Sequence, residues 1–200
     1  MRAELIRCGM HLFATNGYET TTVAQVAQAA GMSERSFFRY FASKGELALA
    51  SQAQIGQMLA ARLAERPRSE QPWLALRRTF DPVVAAIDTN AEGRSLRLIE
   101  MLHNTPELHR ARLEQLDSWA RLLAPHVAVH LDDPPSGDFP DPRAAAIAAA
   151  AVACYQTAQA AWLSTKGSVS MSTLLDRAME AVAGIGELKA KRDSSEAAQA

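Results

Sequence analysis

Residues 20–44, TTTVAQVAQAAGMSERSFFRYFASK, constrain the chain most, because they spell two short helices on either side of one tight turn. Val23, Val26, Ala27 and Ala30 recur at i, i+3, i+4 and i+7, giving the first helix one small apolar face. Thr22 stands where a hydroxyl can cap the exposed N–H groups of that helix. Gly31 follows the last apolar position, where a helix ends on a left-handed residue that glycine adopts without strain. Ser33 then caps a second helix, expected from Glu34 to about Phe41. Phe37 and Phe41, four apart, turn inward and leave Arg35, Ser36, Phe38, Arg39 and Tyr40 on or near the outer side. Two helices at a steep angle across a glycine turn, the second showing Arg, Ser and Tyr to solvent, describe a helix-turn-helix.

With the residues around it, this stretch resembles the DNA-binding domain of the tetracycline-repressor (TetR) family of transcriptional regulators. The resemblance covers residues 4–47, roughly the first quarter of the chain. It rests on an ordered series: Leu12-Phe13, Gly17-Tyr18, the threonine run, Val26-Ala27, Ala30-Gly31, Ser33, Phe37-Phe38-Arg39-Tyr40-Phe41, Ser43-Lys44 and Glu46-Leu47. Two positions depart from the family pattern. Phe38 stands where the family most often has Tyr, so a hydroxyl contact to phosphate is lost. Arg39 stands where an aromatic is common and offers a cationic contact instead.

The whole chain fits a small head and a larger body. Its 200 residues are 48% hydrophobic and 6% aromatic, enough for a sizeable core. The formal net charge is -1, so a global basic field is absent, and any field that attracts nucleic acid is local. The first fifty residues are only faintly basic, which points to two heads binding together. Cys8 and Cys154 lie far apart in apolar helical contexts, without metal-ligand spacing, and read as buried reduced thiols. No signal peptide is expected, and the run 144–161, with eleven alanines among eighteen residues and two glutamines, reads as a packing helix rather than a membrane span. The expected location is cytoplasmic.

Taken in order, the chain predicts about nine helices, three in a DNA-binding head (1–47) and six in an effector-binding and dimerising body (48–188), with a disordered polar tail (189–200). No strand alternation is convincing, so the expected class is all-α. Helix 1 spans 2–16 and stops at Gly17. A longer helix joins head to body from Ser43 to about Glu65, opened by a Ser43–Glu46 capping box. A helix over 72–88 is expected to kink at Pro82. Helices over 92–104 and 106–131 precede a proline-rich acidic loop, 132–140. Asp141 caps and Pro142 opens the alanine-rich helix, which Gly167 stops near Lys166. A last helix covers 172–188.

The expected DNA contacts are Thr22, Ser33, Glu34, Arg35, Ser36, Phe38, Arg39, Tyr40 and Lys44. Arg35 is the best base reader, since a guanidinium takes guanine O6 and N7 together. Glu34 can accept from cytosine, whereas Thr22, Ser33, Tyr40 and Lys44 suit phosphates, which fix register. Phe38 offers only apolar contact. In the body, Trp73, Phe80, Met101, Trp119, Tyr155 and Trp162 read first as core. The family resemblance adds an apolar effector pocket, with His103 and Gln159 as polar points.

Small side chains on the alanine-rich helix allow close helix approach, and the resemblance implies a homodimer packed through the last two helices. Ala149, Ala153, Ala160, Leu175 and Val182 are the expected contacts. A two-fold dimer favours a palindromic operator in double-stranded DNA. His126 and His130, at i and i+4, lack a third strong ligand, so no metal and no cofactor is expected. No nucleophile elbow, phosphate loop or His/acid motif suggests an enzyme. The expected function is a sequence-specific DNA-binding regulator, a repressor released from its operator by a small hydrophobic effector. The alternative is a helical ligand-binding or scaffolding protein with a vestigial head.

Overall fold

The computed structural model describes residues 1–89, 93–131 and 142–183. Every regular element among them is helical: α1 (Arg2–Asn16), α2 (Val23–Ala29), α3 (Glu34–Phe37), α4 (Lys44–Ala64), α5 (Pro72–Thr79), α6 (Asp81–Asp88), α7 (Arg94–Asn104), α8 (Pro106–Ala128) and α9 (Pro142–Ser164), then α10 over 171–183. The chain is all-α, as expected. The loop 132–140, the Asp141 cap, the end of the last predicted helix and the tail 189–200 lie outside the described residues.

Two compact units divide the chain. The first joins Met1–Met58 to Thr89–Trp119, and the second joins Leu59–Asp88 to the chain from Ala120 onward. In the first unit, α1 packs against α2 and α7, and α2 packs against α3. Leu5, Phe13, Val26, Phe37, Phe41, Leu47, Leu102 and Leu108 form its core. Burying each such side chain is worth about 1.5–3 kcal/mol. Arg97 of α7 donates from Nε to the Ala14 carbonyl, 2.6 Å away, at the C-terminal end of α1. A cation suits that end of a helix.

In the second unit α5 packs against α9, and the Phe80 and Tyr155 rings stack with centroids 5.2 Å apart. Arg77 pairs with Asp81 and Asp176, and the Trp73 indole N–H donates to the Met179 carbonyl at 3.1 Å. The Asp88 carboxylate accepts from the N–H groups of Met171 (2.6 Å) and Ser172 (3.1 Å), capping α10 from the end of α6. Helix α9 is long and apolar enough to cross a membrane. It nevertheless buries Ala144, Ala148, Ala151, Val152, Cys154, Tyr155, Ala158, Gln159 and Trp162, which suits a core helix.

Several local expectations are corrected. The helix over 34–41 stops at Phe37 as an α-helix. Arg39 and Tyr40 then bond back three residues, to Ser36 and Phe37, so the last turn tightens. The 72–88 helix breaks instead of kinking. Pro82 has no N–H to give the preceding turn, and Val83 and Val84 bond to the Phe80 carbonyl as a new helix begins. The Ser43–Glu46 box is half formed. Ser43 Oγ accepts from the Glu46 N–H at 3.0 Å, but the Glu46 carboxylate reaches to the Ala42 N–H, at 2.6 Å. At the end of α9 the first left-handed residue is Lys166 (φ 51°), followed by Gly167 (φ 74°). The Gly167 N–H bonds back to the Trp162 carbonyl, and the Lys166 N–H to that of Leu163.

Candidate nucleic-acid interface

The head's reading elements are fixed almost wholly by short-range bonds. Thr22 Oγ1 accepts from the Gln25 N–H at 3.2 Å, and Gln25 Oε1 accepts from the Thr22 N–H at 2.8 Å, a complete capping box at the start of α2. At its end, Met32 N–H bonds to the Ala27 carbonyl at 2.9 Å and Gly31 N–H to the Gln28 carbonyl at 3.0 Å, with Gly31 at φ 69°. That paired pattern stops the helix and turns the chain within three residues. Ser33 Oγ then accepts from the Ser36 N–H at 3.2 Å and starts α3.

Phe37 and Phe41 anchor this turn in the core, both almost fully buried, with ring centroids 5.8 Å apart. Anchoring by those two rings leaves Ser33, Glu34, Arg35, Phe38 and Arg39 exposed, and Ser36 and Tyr40 half-buried. Arg35 engages no hydrogen bond or ion pair among the described residues, so its donors are available to a base edge. Phe38 is 53% exposed and rests edge-on against Phe37. An apolar ring held in solvent by its neighbour suits contact with a sugar or a thymine methyl. The Arg39 guanidinium lies 5.7 Å from the Tyr40 ring centroid.

Lys44 is placed differently from a side chain waiting for phosphate. Its ammonium donates to the carbonyls of Tyr18 (2.6 Å) and Thr21 (3.0 Å) and sits 4.1 Å from the Tyr18 ring centroid. It ties the α1–α2 connection to the start of α4. Sequence reading missed this brace because its partners lie more than twenty residues away. It also passed over Gln25, although a threonine followed three residues later by glutamine is a signature of the capping box.

The expected effector residues fall in both units. Met101, His103 and Trp119 belong to the first, and Trp73, Phe80, Tyr155, Gln159 and Trp162 to the second. Tyr155 and Gln159 are buried, and Gln159 Nε2 donates to the Tyr155 hydroxyl at 2.8 Å. A groove of about 360 Å³ in the second unit is lined by Trp73, Leu74, Arg77, Asp176, Met179 and others. Of the expected dimer contacts, Ala149, Ala153, Ala160 and Val182 are exposed. Leu175 is wholly buried within its own unit and is a core residue, not a surface one. Its place in the apolar period of the last helix fits either role.

His103 shows how burial acts in the first unit. Desolvation holds its imidazole below the ordinary histidine range, with Arg112 and His109 adding to the effect and a bond to the Ile99 carbonyl opposing it. The folded state thus favours neutral His103, and the unfolded state takes up a proton first as pH falls. Stability is therefore expected to drop as pH falls through about 6.5. Urea midpoints at about pH 7.5 and about pH 5.5 check this, and His103→Gln is expected to narrow the difference between them.

A capped helix, a glycine turn and a short second helix showing arginine and serine to solvent define a helix-turn-helix DNA-binding protein. The family described as bacterial regulatory proteins, tetR family, matches residues 5–51, and the MftR C-terminal domain matches residues 70–185. The chain belongs to the TetR family of bacterial transcriptional regulators. It is similar to the HTH-type transcriptional regulator TcmR of Streptomyces glaucescens, 36% identical over 141 residues. That match spans 66% of this chain and 62% of TcmR, less than two thirds of its length. The regulator MftR of Mycobacterium tuberculosis is 26% identical over 184 residues, 90% of this chain and 88% of its own. Thermus thermophilus FadR, a TetR-family repressor solved with lauroyl-CoA, shares the fold with a TM-score of 0.58 and 22% identity. The match covers 90% of this chain and 92% of FadR.

Proposed function

We propose that this protein is a cytoplasmic, non-catalytic homodimeric repressor that leaves a palindromic operator when a small hydrophobic effector binds its body. The observation that carries the reading is Arg35, exposed and without a bond among the described residues, beside the Ser33 cap and on a turn anchored by Phe37 and Phe41. Arg35 reads guanine, Ser33, Ser36, Thr22 and Tyr40 meet phosphate, Arg39 adds a cation, and Phe38 packs on sugar or methyl. Glu34 favours cytosine. Lys44 positions the head through Tyr18 and Thr21, and its remaining donor serves a phosphate.

Dimerisation uses the exposed small face of α9, with Ala149, Ala153 and Ala160, together with Val182 of α10. The effector enters among aromatic side chains of the second unit, near Trp73, Phe80, Tyr155 and Trp162, with Gln159 as its polar point. A fold relative solved with lauroyl-CoA, which joins an apolar chain to a polar head, is compatible with such a ligand. Release follows only if the effector binds the non-operator state of the dimer more tightly.

Selection of bound duplexes from a random DNA pool, with purified full chain at near-physiological salt, tests the proposal. Recovery of one palindromic motif is the expected result. Recovery of unrelated sequences, or of a single half-site, would sink the operator reading or the two-headed reading respectively.

A further inference from the structure

We infer that the second unit carries a site for a phosphate-bearing anion, built by Arg62, Arg66 and Arg78, the last two held by the carboxylate of Glu70. A cavity of about 180 Å³ lies between the end of α4 and α5, lined by Arg62, Glu65, Arg66, Pro67, Arg78 and Thr79. The Glu70 side chain, only 7% exposed, ties together two of the lining arginines, Arg66 and Arg78. One carboxylate oxygen accepts from Arg66 Nη2 at 2.6 Å and from Arg78 Nη1, and the other accepts from Arg66 Nε. Arg66 first, and Arg78 after it, hold the Glu70 carboxyl below the usual carboxylate range against the opposing effect of burial.

This arrangement positions two guanidinium groups before any ligand arrives. Among the described residues, Arg66 leaves the donors of Nη1 unengaged, and Arg78 leaves those of Nε and Nη2. Arg62 precedes Arg66 by one helical turn, is exposed, and has no bond or ion pair among the described residues. Glu65 is the one carboxylate among the lining residues, Glu70 is engaged by Arg66 and Arg78, and Asp81, whose charge also reaches Arg66, is paired with Arg77, so the site offers a surplus of planar donor forks. Such forks match the oxygen geometry of phosphate better than a point charge does. The volume equals that of about six waters, enough for one or two phosphoryl groups, so any organic remainder lies outside. An Arg–Glu–Arg bridge serving only to close the α4–α5 connection needs neither Arg62 nor the cavity. This site is separate from the apolar effector region proposed above and does not depend on it.

Calorimetric titration of the full chain with sodium pyrophosphate at low ionic strength tests the site. One pyrophosphate per chain is expected. Arg62→Ala should weaken it roughly tenfold, the scale of a lost bond to a charged group. Arg110→Ala, which removes an exposed arginine of α8 in the other unit, should leave it unchanged. Glu70→Gln separates a built site from charge attraction, because it raises the local net charge while loosening both arginines. Weaker binding is expected, with a melting curve to establish that the variant is folded. No heat with pyrophosphate, equal losses in R62A and R110A, or tighter binding by folded E70Q would each overturn the inference. ADP distinguishes the source within a confirmed site. Much tighter ADP binding assigns a nucleotide-like ligand, and affinity equal to that of pyrophosphate assigns the free anion.

Discussion

Arg35→Ala is expected to weaken specific operator binding at least roughly 30-fold and leave the fold intact. The side chain is exposed and makes no bond within the described residues, so its removal leaves no buried group unpaired. A bidentate arginine–guanine contact is worth about 1–3 kcal/mol. Two heads on a palindrome lose it together, so the complex weakens by about 2–6 kcal/mol, roughly 30-fold at the low end. Fluorescence-anisotropy titration of the selected duplex, at one fixed salt concentration, measures the loss. The dependence on salt decides what Arg35 touches. A base contact leaves the slope of affinity against salt nearly unchanged, whereas a phosphate contact lowers it by about one per head. Arg39→Ala supplies the comparison, since a phosphate role predicts the smaller slope there. An Arg35→Ala chain that binds as well as the parent would show that Arg35 reads no base.

How much of this site was legible in the sequence follows from the range of its bonds. The α2 capping box, the reversal at Gly31 and the Ser33 cap each close within five residues, and their residue types signal those bonds directly. The inward turn of Phe37 and Phe41 follows from one helical period, and that settles which neighbours face out. The length of α3 was less legible, because a helix and a tightened last turn place residues 38–41 on similar sides. The break at Phe80 shows the same limit. Pro82 announces a disturbance, but whether a helix bends or stops depends on what receives the freed carbonyls. Lys44 lay beyond local reasoning, since its partners at Tyr18 and Thr21 are brought to it by the fold. So did the aromatic residues of the body. Periodicity marks Trp119 and Phe80 alike as inward-facing, while the packing assigns them to different units.

Gly56→Ala, within α4, sets a strong local preference against a strong tertiary constraint. Helix propensity alone predicts about 1 kcal/mol of stabilisation, because alanine has less backbone freedom to lose. The structure predicts the opposite sign. An added Cβ would press on Trp119 Cδ1 and lie 2.6 Å from Nε1 and 3.2 Å from Cγ. That ring is rigid and wholly buried, and its N–H donates to the Gln52 carbonyl, 2.9 Å away, one turn earlier on the same helix. Overpacking of this kind costs about 1–3 kcal/mol, and displacing the indole N–H from its acceptor adds about 1–3 kcal/mol. The net expectation is a loss of about 1–5 kcal/mol after the helix gain of about 1 kcal/mol is subtracted. It should appear as a lower urea midpoint with an unchanged slope. A second background separates the two forces. With Trp119→Ala already in place the ring is gone, and Gly56→Ala should become neutral or stabilising by about 1 kcal/mol. A destabilisation of the same size in both backgrounds would mean that the indole is not what Gly56 makes room for. A sign reversal would fix this contact as the reason α4 carries a glycine in its interior.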